Sequence, residues 1–199
     1  MHKPSGSAPI LDLTFPHQWQ ATVLQRRPLI APASFTAMPH FVYPQEVEEV
    51  ERGALELLIR PTPEEAEFLA TFALGFADPG LPTGVWSCPD PQWLCALAGG
   101  YAYLLNTANP ATWEMIEYRP VLAVTPLHSQ QLLLFSGHHS LMAYGPQGKV
   151  WETLRLSWEG IQILEIREAS LTGLGWDLMT DQEFEFEVDL RTGERVMPR

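Results

Sequence analysis

The residues best suited to metal chemistry in this 199-residue chain are three histidines, the adjacent His138 and His139 with His128 upstream. Imidazoles are the commonest transition-metal ligands. Neighbouring strand positions face opposite ways, but a turn brings both rings to one side, so a surface metal site is one reading. A dedicated zinc site takes three or four ligands at recognisable spacing, and no such pattern is present. Surface histidines in a turn are the competing reading. Cys88 and Cys95 are separated by Pro-Asp-Pro-Gln-Trp-Leu, which fits neither a C-x-x-C redox motif nor a zinc knuckle. Cys95 reads as a small core residue on the strand Trp93–Leu97. Cys88 would need a lowered pKa to act as a nucleophile, and no Lys, Arg or His lies near it in sequence.

Acidic residues gather at Asp177, Asp181, Glu183, Glu185, Glu187 and Asp189. Paired carboxylates serve acid–base chemistry or calcium binding. Here strict alternation explains the glutamates as the solvated face of a strand, and the spacing is not that of an EF-hand loop. Gly99-Gly100 precedes Tyr101 and Tyr103 without a GxGxxG pattern or a P-loop lysine. A hairpin turn with positive φ accounts for the pair, and no cofactor is expected. GxSxG and HExxH are also absent, so no catalytic residue is assigned and the balance is against an enzyme. Trp86, Trp93, Trp113, Trp151, Trp158 and Trp176 remain. Their repeat-related positions favour anchoring between sheets. The functional alternative is a tryptophan-lined groove for a ligand or peptide, with Trp113, Trp151 and Trp176 as its candidate residues.

These side chains must be positioned by strands. Trp93–Glu117 aligns without gaps on Gln131–Arg155 at an offset of 38 residues. Leu94 falls on Leu132, Gly99 on Gly137, Trp113 on Trp151 and Glu114 on Glu152. Each copy reads as strand, tight glycine turn, strand, polar turn, and a strand carrying Trp-Glu. A divergent third copy follows. Ser170–Trp176 is strand-like, Met179–Gln182 turns, and Glu183–Leu190 alternates so that Phe184, Phe186, Val188 and Leu190 face the core. Pro120–Leu127 and Gly160–Glu168 supply one more strand each, making about four strands per repeat of about 40 residues. Upstream, Ala54–Ile59 and Phe68–Phe76 read as two strands joined by a proline-rich turn, with a helix over Glu64–Leu74 as the competing reading. Gln45–Glu51 suits a short acidic helix or the lead into a strand. Residues 1–45 are punctuated by proline and read as an extended arm packed through Trp19, Phe35 and Tyr43 on a single all-β repeat domain, 46–199. The first ten residues are expected to be loose.

Leu132–Trp151, with its LMAYG, PQG, KVW order, and VDLRTGERV at 188–196 resemble the blades of quinoprotein-type β-propellers. The resemblance implies blade-like four-stranded antiparallel meanders over the C-terminal half. The quinone and calcium ligands of such enzymes have no matching cluster here, so none is assigned. Three clear copies fall short of the roughly four to eight blades that close a ring. Either strands within 47–86 supply a fourth unit, or the sheets stack in an open or sandwich-like way. The segments VEEVERGAL, CALAGGYAY, LSWEG, GWDLMTD and VDLRTGE also resemble a family of uncharacterised bacterial proteins, which implies a bacterial setting and no particular activity.

Composition limits the partners. A net charge of −12 disfavours a nucleic-acid backbone and an anionic membrane surface, both of which select Lys and Arg. The N-terminal MHKPSGSAPILDLTF has no apolar run suited to a signal peptide or a span, and two cysteines cannot staple a scaffold. A cytoplasmic protein is expected. The leading expectation for function is a non-catalytic binding or interaction module. The alternatives are a metal protein or enzyme using His138 and His139, and a small acidic immunity-type inhibitor that covers a basic partner. Exposed strand edges also invite self-association.

Overall fold

Alternating apolar and polar positions become strands almost throughout the computed structural model, which describes residues 8–24, 38–44, 53–76 and 80–196. The protein is all-β, and its described residues form four open sheets of four or five strands, none closed into a barrel. Among the described residues the one helical element is a single 3-10 turn, His128–Gln130. The chain divides into two units, Met1–Glu117 and Tyr118–Arg199.

The first unit contains β1 (Ile10–Asp12), β2 (Gln20–Leu24), β3 (His40–Tyr43), β4 (Ala54–Arg60), β5 (Phe68–Ala73), β6 (Gly84–Ser87), β7 (Trp93–Ala98), β8 (Tyr101–Asn106) and β9 (Trp113–Met115). One sheet runs β1-β6-β7-β8-β9 and the other β2-β4-β5-β3. Within the segment read from sequence as an arm, 1–45, on one body, 46–199, the described residues include the strands β1, β2 and β3. The N-terminal strands complete the sheets of the first unit, with β1 parallel to β6 and β3 parallel to β5. All three sit at sheet edges, where a proline-punctuated segment needs hydrogen-bond donors on one side only. Trp19 and Tyr43 are buried as expected, whereas Phe35 and the acidic segment 45–51 lie outside the described residues. The 54–76 region forms the antiparallel pair β4–β5 rather than a helix. Trp19, Leu57, Ile59, Phe72, Tyr103 and Leu105 fill the core between the two sheets. Tyr103 satisfies its buried hydroxyl by donating to the Ala73 carbonyl at 2.8 Å.

The second unit contains β10 (Ala123–Leu127), β11 (Leu132–Ser136), β12 (Leu141–Gly145), β13 (Gly148–Glu152), β14 (Ile161–Ile166), β15 (Ser170–Asp177), β16 (Gln182–Asp189) and β17 (Arg195–Val196). They form two antiparallel meanders, β10-β11-β12-β13 and β14-β15-β16-β17. Leu134, Leu141, Trp151, Leu171, Phe186 and Val188 pack together as this unit's core.

The 38-residue repeat exists as strand register. Leu104 pairs with Glu114 and Leu105 with Trp113; their counterparts Met142 and Ala143 pair with Glu152 and Trp151. The strand before the hairpin departs from the ungapped alignment. Gly99-Gly100, with φ of +54° and +82°, makes a two-residue turn, whereas Gly137–Ser140 makes a four-residue one. β11 is consequently slipped by two positions, and Leu134 takes the place of Leu94. The Leu94/Leu132 and Gly99/Gly137 matches are therefore not structural equivalents. A slip of two leaves every side chain on its original face, which is how the core tolerates it.

Candidate functional site

Sheet geometry separates the three histidines. His138 and His139 occupy the β11–β12 turn with ring centroids 6.0 Å apart. His128 follows β10 at the other end of β11, on the order of 13 Å of strand away. His139 is also engaged, its Nδ1 donating to the Ser157 carbonyl at 3.3 Å. Among the described residues no group of three or more His, Cys, Asp or Glu side chains can hold a metal ion. Tyr118 braces the same turn by donating its hydroxyl to the Ser140 carbonyl, and burial holds that phenol above its usual range. Cys88 and Cys95 are both buried and unbridged, and burial pushes both thiols up, away from the thiolate a nucleophile requires.

The candidate tryptophans have different surroundings. Trp113 is half-buried against Tyr43 and Tyr103, at centroid distances of 5.2 and 6.4 Å. Trp151 is buried, and its indole N–H donates to the Leu190 carbonyl at 2.8 Å. Both pack against the cores of their own units. Trp176 is half-buried and lines a groove of about 250 Å³ with Glu159, Ile161, Gln162, Leu174 and Glu183.

The local sequence explains that groove. Along β15, Leu171, Gly173 and Gly175 are buried, while Thr172, Leu174 and Trp176 alternate onto the outward face. Any Cβ at Gly175 would strike the Leu156 carbonyl, so glycine lets the segment 156–160 lie directly on the strand. Ser157, itself 1% exposed, then fixes both sides of the groove. Its hydroxyl oxygen accepts from the backbone N–H of Trp176 at 2.9 Å and of Glu159 at 3.2 Å. The Trp158 N–H closes the contact by donating to the Trp176 carbonyl at 2.9 Å. Across the outward face Trp176 stands opposite Glu183, Leu174 opposite Glu185, and Thr172 opposite Glu187. Nearby, the Arg155 guanidinium lies 4.3 Å from the centre of the exposed Trp158 ring.

A groove in the first unit offers a contrast. It measures about 440 Å³ and is lined by Met38, Pro39, Arg60, Pro63, Glu65 and Glu67. Its cation is already paired, Arg60 to Glu67 at 2.7 Å. The ion pairs found among the described residues, Arg60–Glu67, Lys149–Glu152 and Arg167–Glu165, include neither Glu159 nor Glu183. The Trp176 groove therefore presents an indole and two carboxylates with no described cation between them.

Sequence reasoning picked out Trp176 but treated Glu183 as a solvated strand face and passed over Ser157 and Glu159. The available signal was the Ser-Trp-Glu-Gly run at 157–160, a hydroxyl followed closely by a turn glycine. No protein-family model matches the chain, and no curated protein is significantly similar to it.

Proposed function

We propose that the chain is a non-catalytic binding module whose partner is a basic polypeptide. The observation that supports this is the outward face of the β14–β17 sheet. There the Leu174/Trp176 row is bordered by Glu183 and Glu185, both exposed, with Glu187 half-buried beyond them. Carboxylates along an open face attract polycations and repel nucleic acid, in keeping with the net charge of −12. The buried thiols and the separated histidines argue against a reaction centre. The scaffold reading that accompanies the proposal is of propeller-like blades. It is supported by the shared register of the repeat and by the Asp189–Gly193 turn seated against Trp151.

Titration with an arginine- and lysine-rich peptide tests the proposal. Because any acidic protein attracts such a peptide, the comparison is between two triple variants of equal charge. Replacing Glu183, Glu185 and Glu187 by Gln is expected to weaken binding at least tenfold, and replacing Glu64, Glu65 and Glu117 by Gln to leave it within about twofold. Equal losses would reduce the reading to non-specific attraction.

One observation favours a second reading, self-association. β14 is an edge strand with Leu164 48% and Ile166 38% exposed, and no Pro or Lys protects it. Light scattering distinguishes pairing through this edge from a 22.4 kDa monomer.

A further inference from the structure

We infer that the groove over Trp176 is a receptor for one arginine side chain of that basic partner, with the guanidinium stacked on the indole between Glu159 and Glu183. The inference rests on the binding reading above and specifies the chemistry of its central contact.

The groove supplies the two elements that guanidinium recognition uses. A flat aromatic face attracts a cation through its quadrupole, and tryptophan does so best. Carboxylates accept the in-plane N–H groups, and a guanidinium presents five of them in a rigid fork. A lysine ammonium of the same charge lacks the plane that stacks and the fork that bridges two carboxylates. The chain itself shows the pairing close by in sequence, since Arg155 lies over Trp158, next to the groove residue Glu159.

The site is also built in advance. The backbones of Trp176 and Glu159 share one buried acceptor, Ser157 Oγ, so the chain positions that carry the indole and one carboxylate are tied together before any ligand arrives. Glu183 is placed independently, its strand position set by cross-strand pairing opposite Trp176. The volume of about 250 Å³ suits a side chain better than a folded domain, and Gln162 and Leu174 extend the floor along the arginine methylenes. A polypeptide is the favoured source because the groove opens onto the same outward face as Glu185 and Glu187, where further cationic residues of one chain can settle.

The test uses the full chain and a short glycine-spaced peptide carrying arginine, lysine or uncharged citrulline. The arginine peptide is expected to bind about fivefold more tightly than the lysine peptide and to shift the Trp176 indole N–H resonance. Citrulline should leave that resonance in place. Trp176→Leu and Glu159→Gln should each erase the preference for arginine while retaining the salt-sensitive background. Glu159 is exposed, so its variant decides the matter should the Trp176 variant fold poorly. An arginine preference that survives Glu159→Gln overturns the inference, and so does an unmoved indole resonance. Agmatine, a guanidinium without a polypeptide, should bind more weakly; equal affinity would exclude a polypeptide as the occupant. Loss of peptide binding in the Glu183/Glu185/Glu187 variant together with an unmoved indole would keep the basic-partner reading and remove only the groove.

Discussion

The two meanders of the second unit place their tryptophans in opposite ways. In the β10–β13 sheet Trp151 turns inward, bonds to Leu190, and is covered by Gly193, where a Cβ would approach the indole to 2.7 Å. In the β14–β17 sheet Trp176 turns outward and is framed by carboxylates. Trp151 occupies a repeated position with a counterpart in Trp113, whereas Trp176 lies on the longer β15–β16 hairpin of the divergent copy. The comparison teaches that the tryptophan shared between copies packs on a core, while its neighbour Glu114 or Glu152 stays exposed. The recognition chemistry proposed above lies where the copies diverge, on the face that packing leaves free.

The sharpest way to break this contrast is truncation of each ring. Trp151→Ala should cost about 3–5 kcal/mol in denaturant unfolding, from lost burial and an unfilled cavity. Trp176→Ala should cost only about 1 kcal/mol, because its ring already meets water on one side. Equal losses would erase the distinction between anchor and receptor. Gly193→Val comes next. Its φ of +73° and its contact with the Trp151 ring both oppose a side chain, so a loss of about 2 kcal/mol or more is expected. A neutral result would mean that the turn does not seal Trp151.

The smallest effect concerns Asp189, which starts that turn. Backbone N–H groups of Arg191 at 2.8 Å and Thr192 at 3.0 Å donate to its carboxylate and hold it below the usual carboxylate range. The folded state then binds fewer protons than the unfolded chain. The contribution is therefore complete above the unfolded value of about 3.9 and is lost as pH falls through the depressed folded value. Asp189→Asn should flatten the acid limb of the stability curve by less than about 1 kcal/mol, solvent screening keeping the effect small. An unchanged acid limb would leave the turn held by backbone bonds alone.

What the sequence made legible was face, not neighbourhood. The Glu-Phe alternation at 183–190 predicts which side chains are inward, and Phe186, Val188 and Leu190 are buried. The positive φ of Gly99-Gly100 and the register of the two Trp-Glu pairs were likewise readable, since turns and periodicity are local properties. Sheet order was not. β2 pairs with β4 and β3 with β5 across about 30 to 40 residues, and β1 sits parallel on β6 across more than 70, and no local pattern encodes those partners. The two-residue slip of β11 was hidden because it preserves faces. Of the candidate site, Trp176 was visible by residue type alone. Its frame was not, because it depends on the Ser157 hydroxyl, which accepts from the backbones of Trp176 and Glu159 from within a loop.

The central claim is that the outward face of the β14–β17 sheet is where this protein binds a basic chain. Amide chemical-shift mapping with an arginine-rich peptide tests it most directly. The account predicts perturbations concentrated on 157–162, 172–177 and 182–187, fading as salt is raised. Shifts spread evenly over the acidic surface, or centred in the first unit, would contradict it.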